Sequence, residues 1–257
     1  MSTTHLVIPD IQARPGISLA YLSWIGEYIL YRRPDVIICL GDFADFPSLS
    51  AYDKGKKSFE GRRYKEDISS AAEAMNTLLL PMVLRNKKQK RVKQKQYKPR
   101  MVMVLGNHEE RILRVGENQP ELEGIISYAD LPYASWEVVD YLVPIEIDGV
   151  VYTHFLANPM TGRPYGGTAL HQLTKVGKSF IVGHKQTLDI ATRFTVDGTQ
   201  QWGIVAGAAY PHDEVYKGPQ GNYHWRGIIY LERVTGGSFD PMFLSLNYLK
   251  EWYESSK

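Results

Sequence analysis

Two apolar runs in the first half of the chain stop at clusters of polar residues, and this arrangement constrains the fold strongly. Residues 36–40 (VIICL) precede Gly41-Asp42-Phe43-Ala44-Asp45, and residues 101–105 (MVMVL) precede Gly106-Asn107-His108-Glu109. Runs of this length and composition predict buried strands. In an open α/β sheet, functional groups collect beyond the carboxyl ends of the strands. We therefore expect the chain to carry its chemistry at one edge of such a sheet.

The pattern along the chain changes from strand and helix units to closely spaced strands. The first half predicts a strand over residues 5–9 and helices over 18–31 and 64–85. The second half predicts a short helix over residues 167–176 and β segments at 141–147, 150–154, 180–182, 191–196, 202–205, 227–232 and 242–246. Ile147-Asp148-Gly149-Val150 predicts a two-residue hairpin turn. These elements predict one α/β domain over residues 1–257, with layered sheets covered by helices.

Cysteine content and hydropathy narrow the class of protein. Cys39 is the single cysteine and lies inside an apolar run, so it is expected to be a buried, inert thiol. No uninterrupted apolar run approaches the roughly 20 residues that cross a bilayer, and no secretory signal is recognisable. We expect a soluble cytoplasmic protein without a membrane partner.

Basic residues are concentrated in one segment, residues 85–100 (RNKKQKRVKQKQYKPR). It contains nine of the 30 Lys and Arg residues, and the other 21 are outnumbered by 28 acidic residues. Such a segment can attract a polyanion, which would make nucleic acid a partner. The other interpretation, a solvated helix end and loop, is favoured because such runs are common on surfaces.

A second segment with two interpretations is residues 207–227, which combines Gly and Pro with aromatic side chains. Its rings belong to Tyr210, His212, Tyr216, Tyr223, His224 and Trp225. They could form a stacking wall for a nucleotide base beside the site. An ordered loop with packed aromatic side chains explains the pattern equally well.

Polar residues that follow the apolar runs form an ordered series. Its members are Asp10 and Gln12, Asp42 and Asp45, Asn107 and His108, His154, and finally His184 and Gln186. A single strand-end histidine would more often be structural, but five groups in one topological position are hard to explain that way. Carboxylates, an amide oxygen and imidazoles form a mixed N/O set that suits Mn, Fe, Zn or Ni.

The order and spacing of these groups resemble the calcineurin-like metallophosphoesterase superfamily. Its motifs D-x-H, G-D-x-x-D, G-N-H-E/D, a lone His and G-H-x-H correspond to Asp10-Ile11-Gln12, Gly41 to Asp45, Gly106 to Glu109, His154, and Gly183-His184-Lys185-Gln186. The resemblance covers residues 6–186. It implies a four-layer αββα sandwich of two mixed sheets with two metal ions at one edge, and with the remaining C-terminal strands in the second sheet.

The resemblance also implies a role for each residue. Asp42 would bridge two metal ions, and His108 would act on the phosphate or the leaving oxygen, with Asp45 orienting its ring. The remaining ligands of one ion would be Asn107, His154 and His184, and those of the other would be Asp10, Gln12 and Gln186. Glu109 would support the ligands without joining them. The implied reaction is hydrolysis of a phosphodiester or phosphomonoester by a metal-bound hydroxide.

Two departures from the motifs affect the same metal ion, because Gln12 and Gln186 stand where the family usually has histidine. Glutamine offers a harder and weaker oxygen ligand, which favours Mn²⁺ or Mg²⁺. The alternative is that this ion is lost and only the other site fills. The sequence therefore predicts one or two divalent ions per chain, with Mn²⁺ preferred over Mg²⁺, Fe, Zn or Ni.

Three functions remain open at the level of the sequence. The first is a phosphodiesterase or phosphatase, including a nuclease or nucleotide hydrolase, which the segments 85–100 and 207–227 favour. The second is a protein phosphatase, which is disfavoured because Phe46-Pro47 stand where that branch of the family carries Arg-Gly. The third is a non-catalytic binding or scaffold module on a degraded site. Retention of His108 with Asp45 argues against it, because a scaffold needs neither.

Overall fold

The computed structural model describes residues 2–214 and 217–256, where most of the strands and three of the six α-helices correspond to predicted elements. The strands are β1 (Thr3–Ile8), β2 (Val36–Cys39), β3 (Arg100–Val104), β4 (Glu137–Val139), β5 (Ile145–Ile147), β6 (Val150–Thr153), β7 (Phe180–Val182), β8 (Leu188–Phe194), β9 (Gln200–Ala206), β10 (Gly227–Thr235) and β11 (Ser238–Ser245). The α-helices are α1 (Ala20–Arg32), α2 (Tyr64–Arg91), α3 (Glu110–Asn118), α4 (Ala169–Val176), α5 (Gly218–Asn222) and α6 (Leu246–Ser255).

The strands form two mixed sheets. The first has the order β11-β10-β1-β2-β3-β4, and the second has the order β5-β6-β7-β9-β8. In the first sheet β1 to β4 run parallel. At one side of it β10 pairs antiparallel with β1, and β11 pairs antiparallel with β10. In the second sheet β6, β7 and β9 run parallel between antiparallel β5 and β8. Because parallel strands end at the same edge, each sheet gathers its strand-end residues on one side.

Apolar side chains from both sheets meet in a shared core. Val7 and Ile38 of the first sheet cluster with Tyr152, Ile181 and Ile204 of the second, and all five are essentially inaccessible to solvent. Helices α1, α2 and α6 cover the outer face of the first sheet, and α4 packs on the outer face of the second. This confirms the predicted αββα sandwich. The boundary of a single domain over residues 1–257 stays a prediction.

The prediction that the C-terminal strands complete the second sheet is wrong for β10 and β11. Both belong to the first sheet, where β10 pairs antiparallel with β1 and β11 pairs with β10. The second sheet is completed by β8 and β9. Alternating polar and apolar residues predict a strand but do not name its neighbour, so the sequence pattern could not assign these two strands to a sheet.

Three further differences concern element limits. Helix α2 continues through Arg91, six residues beyond its predicted end, in spite of Pro81. The β segment predicted over residues 141–147 contains only the short strand β5, because Leu142 has a positive φ of 66°. Strand β4 and helices α3, α5 and α6 were not predicted. No helix in the described part of the chain combines the length and the apolar character needed to cross a bilayer.

The hairpin predicted between β5 and β6 is confirmed, and its turn touches the turn between β10 and β11. Asp148 and Gly149 have φ values of 52° and 86°, as a type I′ turn requires. A Cβ atom on Gly149 would lie 2.3 Å from the backbone nitrogen of Gly237. This contact therefore connects the second sheet with the first, and it requires glycine.

A substitution at Gly149 tests this contact. Gly198 is the matched control, because its φ is also positive, at 83°, and a Cβ atom added there would have no neighbouring atom within 4 Å. Both Gly→Ala changes should cost about 1–2 kcal/mol for the left-handed backbone. Gly149→Ala should lower the free energy of unfolding by about 1–3 kcal/mol more, because the added methyl group overpacks the turn. Equal losses in urea denaturation would contradict the contact.

Candidate metal centre

The polar residues predicted from the strand ends meet at one edge of the sandwich. Asp42 follows β2, Asn107 follows β3, His154 follows β6 and His184 follows β7. Asn107 Oδ1 lies 2.9 Å from His154 Nε2 and 2.7 Å from His184 Nδ1. Asp42 Oδ2 lies 3.4 Å from His154 Nε2. Candidate ligand atoms of Asp42, His154 and His184 all lie within 4.8 Å of one another.

The loops that carry these residues have a strained backbone. Positive φ values occur at five non-glycine residues of the predicted series: Asp10 (26°), Gln12 (46°), Asp42 (48°), His184 (66°) and Gln186 (60°). Side chains other than glycine rarely adopt this conformation, and such strain collects at functional sites. The surrounding hydrogen bonds hold it in place. Gln12 N, for example, donates to the Asp42 carbonyl at 2.8 Å.

Hydrogen bonding and charge act in opposite directions on His154 and His184. His154 Nδ1 lies 2.7 Å from the Leu40 carbonyl, so this nitrogen carries a proton and Nε2 faces Asn107 and Asp42. Burial opposes a charge on His154, but Asp42 outweighs burial and raises its pKa to about 9. Burial and the neighbouring His154 lower the pKa of His184 to about 4, which leaves a neutral imidazole.

The four residues fit a divalent metal ion. Burial would raise the pKa of Asp42, but His108 and His154 outweigh burial and hold that pKa well below its ordinary range. The buried carboxylate is therefore ionised and attracts positive charge. One carboxylate oxygen, one amide oxygen and two imidazole nitrogens are typical ligands of Mn, Fe or Zn. Asp42, Asn107, His154 and His184 could hold such an ion.

His108 and Asp45 lie beside this cluster as a pair. His108 Nδ1 is 2.9 Å from Asp45 Oδ1, and His108 Nε2 is 3.6 Å from Asp42 Oδ2. Burial lowers the pKa of His108, but Asp42 and Asp45 outweigh burial and Arg111, so the net pKa is raised. The imidazole therefore keeps its proton to a higher pH than a free histidine does.

Two arginines that the sequence analysis missed contact this pair. Arg111 Nη2 lies 3.0 Å from His108 Nε2, and Arg111 Nη1 donates to the Asp45 carbonyl at 2.6 Å. Arg14 Nη1 donates to Asp45 Oδ2 at 3.1 Å and to Glu214. His108 lies in the turn before α3, and the backbone N–H of Arg111 donates to the His108 carbonyl at 3.2 Å, so the three-residue spacing could have revealed the first contact.

Glu109 holds the loops of the second and third motifs together. Its carboxylate accepts hydrogen bonds from the backbone N–H groups of Asp42, Phe43, Ala44 and Gly106, at 2.8 to 3.3 Å. Tyr133 Oη donates to the same carboxylate at 2.9 Å. The side chain is completely buried. Glu109 thus positions Asp42 relative to Asn107 without being one of the clustered ligands.

Asp10, Gln12 and Gln186 are buried at the same edge of the sandwich. Asp10 Oδ1 accepts a hydrogen bond from His184 N at 3.1 Å, whereas Asp10 Oδ2 has no hydrogen-bond partner among residues 2–214 and 217–256. Burial raises the pKa of Asp10 to about 7. Gln186 Oε1 accepts hydrogen bonds from Tyr210 Oη, at 2.9 Å, and from Lys217 Nζ.

The aromatic segment 207–227 is mostly packed against itself. Tyr210 is fully buried and stacks on His212 at 4.5 Å, and Trp225 lies edge-on to Phe243. Tyr223 is 82% exposed, and Tyr216 lies outside the described residues. The interpretation as a packed loop is therefore favoured over a stacking wall.

The basic segment 85–100 begins on the last turns of α2 and leads into β3. Its lysines and arginines at 87, 88, 90 and 91 are exposed. The segment ends at Arg100, the first residue of β3, whereas Asn107 follows the last residue of that strand. A five-residue strand is about 16 Å long, so the basic segment lies toward the opposite edge of the sheet.

The family model described as calcineurin-like phosphoesterase matches residues 4–233. The chain belongs to the calcineurin-like phosphoesterase family, whose members bind divalent metals and act on phosphoesters. This confirms the resemblance seen in the motifs. A search of curated proteins gives no match.

Solved structures with some similarity include two bacterial proteins. One is nuclease MPE of Pseudomonas putida, with 16% identity, a TM-score of 0.33, and coverage of 93% of this chain and 87% of that chain. The other is TT1561 of Thermus thermophilus, with 8% identity, a TM-score of 0.38, and coverage of 95% of this chain and 99% of that chain.

A conservative change at Glu109 tests its positioning role. Glu109→Gln replaces an acceptor oxygen with an N–H₂ group that faces backbone donors, so it should lower the free energy of unfolding by about 1–3 kcal/mol. It should also weaken Mn²⁺ binding by about 10-fold to 100-fold, because ligand-supporting groups typically contribute that much. Glu117→Gln on the exposed part of α3 is the control. Urea denaturation measures the free energy of unfolding of both variants, and Mn²⁺ titration measures their metal affinity. An unchanged Mn²⁺ affinity in Glu109→Gln would contradict the positioning role of Glu109.

Proposed function

We propose that the protein is a metal-dependent phosphoesterase that hydrolyses phosphodiesters or phosphomonoesters with Mn²⁺ at Asp42, Asn107, His154 and His184. The observation that carries this proposal is the adjacency of two groups of residues. A four-residue ligand cluster, in which Asp42 and His154 are buried, lies next to a histidine that is paired with a carboxylate and has a raised pKa. Metal binding alone would need only the first group.

The reaction needs an oxygen nucleophile, neutralisation of the phosphoryl charge and a proton for the leaving group. A bound divalent ion lowers the pKa of a water molecule and neutralises phosphoryl oxygens. With substrate bound, Arg111 would turn from His108 Nε2 to the phosphate, and His108 would then supply the proton from Nε2, since Nδ1 faces Asp45. The carboxylate of Asp45 keeps the ring oriented and favours its charged form. Arg111, 3.0 Å from Nε2, would bind a phosphoryl oxygen beside His108.

Polynucleotides are the favoured substrate class within this function. The support comes from the exposed basic segment 85–100, because phosphate contacts dominate the affinity of proteins for nucleic acid. Its position toward the opposite edge means that a small diester at the metal centre would not touch it. Only a long polyanion could contact the basic segment and the centre together.

The two alternative functions have less support. A protein phosphatase remains disfavoured by Phe46-Pro47, where Arg111 donates to the Phe46 carbonyl at 3.2 Å. A non-catalytic module would explain the metal ligands. It gives no reason for the buried His108 and Asp45 pair and its two arginines.

Hydrolysis of bis-p-nitrophenyl phosphate tests the proposed function. Protein reconstituted with Mn²⁺ should turn over this diester, and removal of the metal with EDTA should abolish the activity. His108→Ala should lower kcat by about 10²-fold to 10⁴-fold, the usual contribution of an acid or base group. Its Mn²⁺ content should stay unchanged, because His108 is not a ligand in this proposal.

His171→Ala is the matched control, since His171 is exposed on α4. It should leave both turnover and metal content unchanged. If neither diesters nor monoesters are hydrolysed in the presence of a divalent metal ion, the enzyme proposal is refuted. Full activity of His108→Ala would refute the role of His108.

Neutralising the basic segment tests the substrate class. Changing Lys87, Lys88, Lys90 and Arg91 to Gln should abolish salt-dependent retention on a single-stranded DNA column, because each lost phosphate contact lowers the salt slope by about one. Turnover of bis-p-nitrophenyl phosphate should not change. The control variant has the same net charge as this variant but changes four exposed basic residues elsewhere on the surface to Gln, namely Lys175, Lys178, Lys250 and Arg233. Equal retention of the two variants would contradict the polynucleotide proposal.

A further inference from the structure

The two halves of the metal centre differ in what surrounds their ligands. On the side of Asn107, His154 and His184, nitrogen and oxygen atoms converge on one space. On the side of Asp10, glutamines stand where the family usually has histidines. The second of these, Gln186, is already engaged by other side chains of the protein.

The amide oxygen of Gln186 has no lone pair left for a metal ion. A carbonyl oxygen accepts two hydrogen bonds. At Gln186 Oε1 these come from the hydroxyl of Tyr210, at 2.9 Å, and from the ammonium of Lys217. Lys217 Nζ also donates to Tyr210 Oη at 3.3 Å. The position equivalent to the last family histidine thus binds a cation of the protein itself.

The carboxylate of Asp10 supplies the second observation. Asp10 is completely buried, and its Oδ2 has no hydrogen-bond partner within residues 2–214 and 217–256. A buried carboxylate oxygen without a partner is costly unless a positive charge lies nearby. Asp10 and Glu214 are the acidic groups whose charges act on Lys217, against the effect of its burial. The ammonium of Lys217, which donates to Gln186 Oε1, is close enough for its charge to interact with that of Asp10.

We propose that the ammonium group of Lys217 replaces the second metal ion of this centre, so that the protein binds a single divalent ion at Asp42, Asn107, His154 and His184. An ammonium is a compact point charge with three donors, and it can supply positive charge beside Asp10 and toward a phosphoryl oxygen. The catalytic use of that charge rests on the proposed phosphoesterase function. The number of bound ions does not.

Metal stoichiometry tests the replacement without reference to activity. Metal-free protein is incubated with excess MnCl₂, unbound ions are removed by gel filtration, and manganese per chain is measured by plasma mass spectrometry. Electron paramagnetic resonance then distinguishes an isolated Mn²⁺ ion from a coupled pair. We expect one uncoupled ion in the wild-type protein, and two ions would overturn the proposal.

Restoring the family ligands makes the test specific for Lys217. Gln12→His/Gln186→His should still bind one ion, because the ammonium remains. Adding Lys217→Met to this double variant should raise the manganese content to two ions per chain, with the paramagnetic resonance signal of a coupled pair. The control adds Lys178→Met to the double variant instead. Lys178 is a surface lysine paired with Glu146, so the manganese content should stay at one ion per chain. Two ions in the double variant, or one ion in the variant with Lys217→Met, would contradict the replacement. Should these variants not fold, the wild-type content alone still decides between one and two ions.

Activity separates this inference from the proposed function. Lys217→Met alone should lower kcat/KM for bis-p-nitrophenyl phosphate by about 100-fold, as loss of one preorganised charge or donor typically does. Its manganese content should remain one per chain. One ion without any phosphoester turnover would refute the proposed function and leave the replacement standing. Turnover with two ions would refute the replacement and leave the function standing.

Discussion

The buried carboxylate of Glu109 is the contact on which the geometry of the centre depends. It binds backbone N–H groups from the loops after β2 and β3, and it also accepts a hydrogen bond from Tyr133. The loop after β2 has an unfavourable left-handed residue at Asp42, so it needs such external support. Hydrogen bonds to an ionised group are about twice as strong as neutral ones, which suits this task.

The centre divides into a half that suits a metal ion and a half that suits an internal cation. Asp42, which the family resemblance places between two ions, faces His154 at 3.4 Å and His108 at 3.6 Å. The opposite half contains Asp10, but its glutamine partner binds Lys217. The buried carboxylate of Asp42 is ionised, whereas burial raises the pKa of Asp10 to about 7. We assign a divalent ion to the first half and a lysine side chain to the second.

Much of the site could be predicted from the sequence, because each ligand follows its strand directly. Asp42, Asn107, His154 and His184 occur in short motifs, so local spacing was sufficient to find them. Lys217 could not be found in this way, since 31 positions separate it from Gln186 and only tertiary packing joins them. The predicted assignment of β10 and β11 to the second sheet was wrong for a related reason, because strand pairing depends on the whole chain. Helix α6 had a local signal that was overlooked, the capping residue Ser245.

An anomalous difference map from Mn²⁺-soaked crystals tests the central claim most directly. Data collected at the manganese absorption edge should show one peak per chain, within coordination distance of Asp42, Asn107, His154 and His184. The Lys217 ammonium should remain on Gln186 in the same crystals. A map without a peak at these four residues, from protein that hydrolyses phosphoesters with Mn²⁺, would contradict the account.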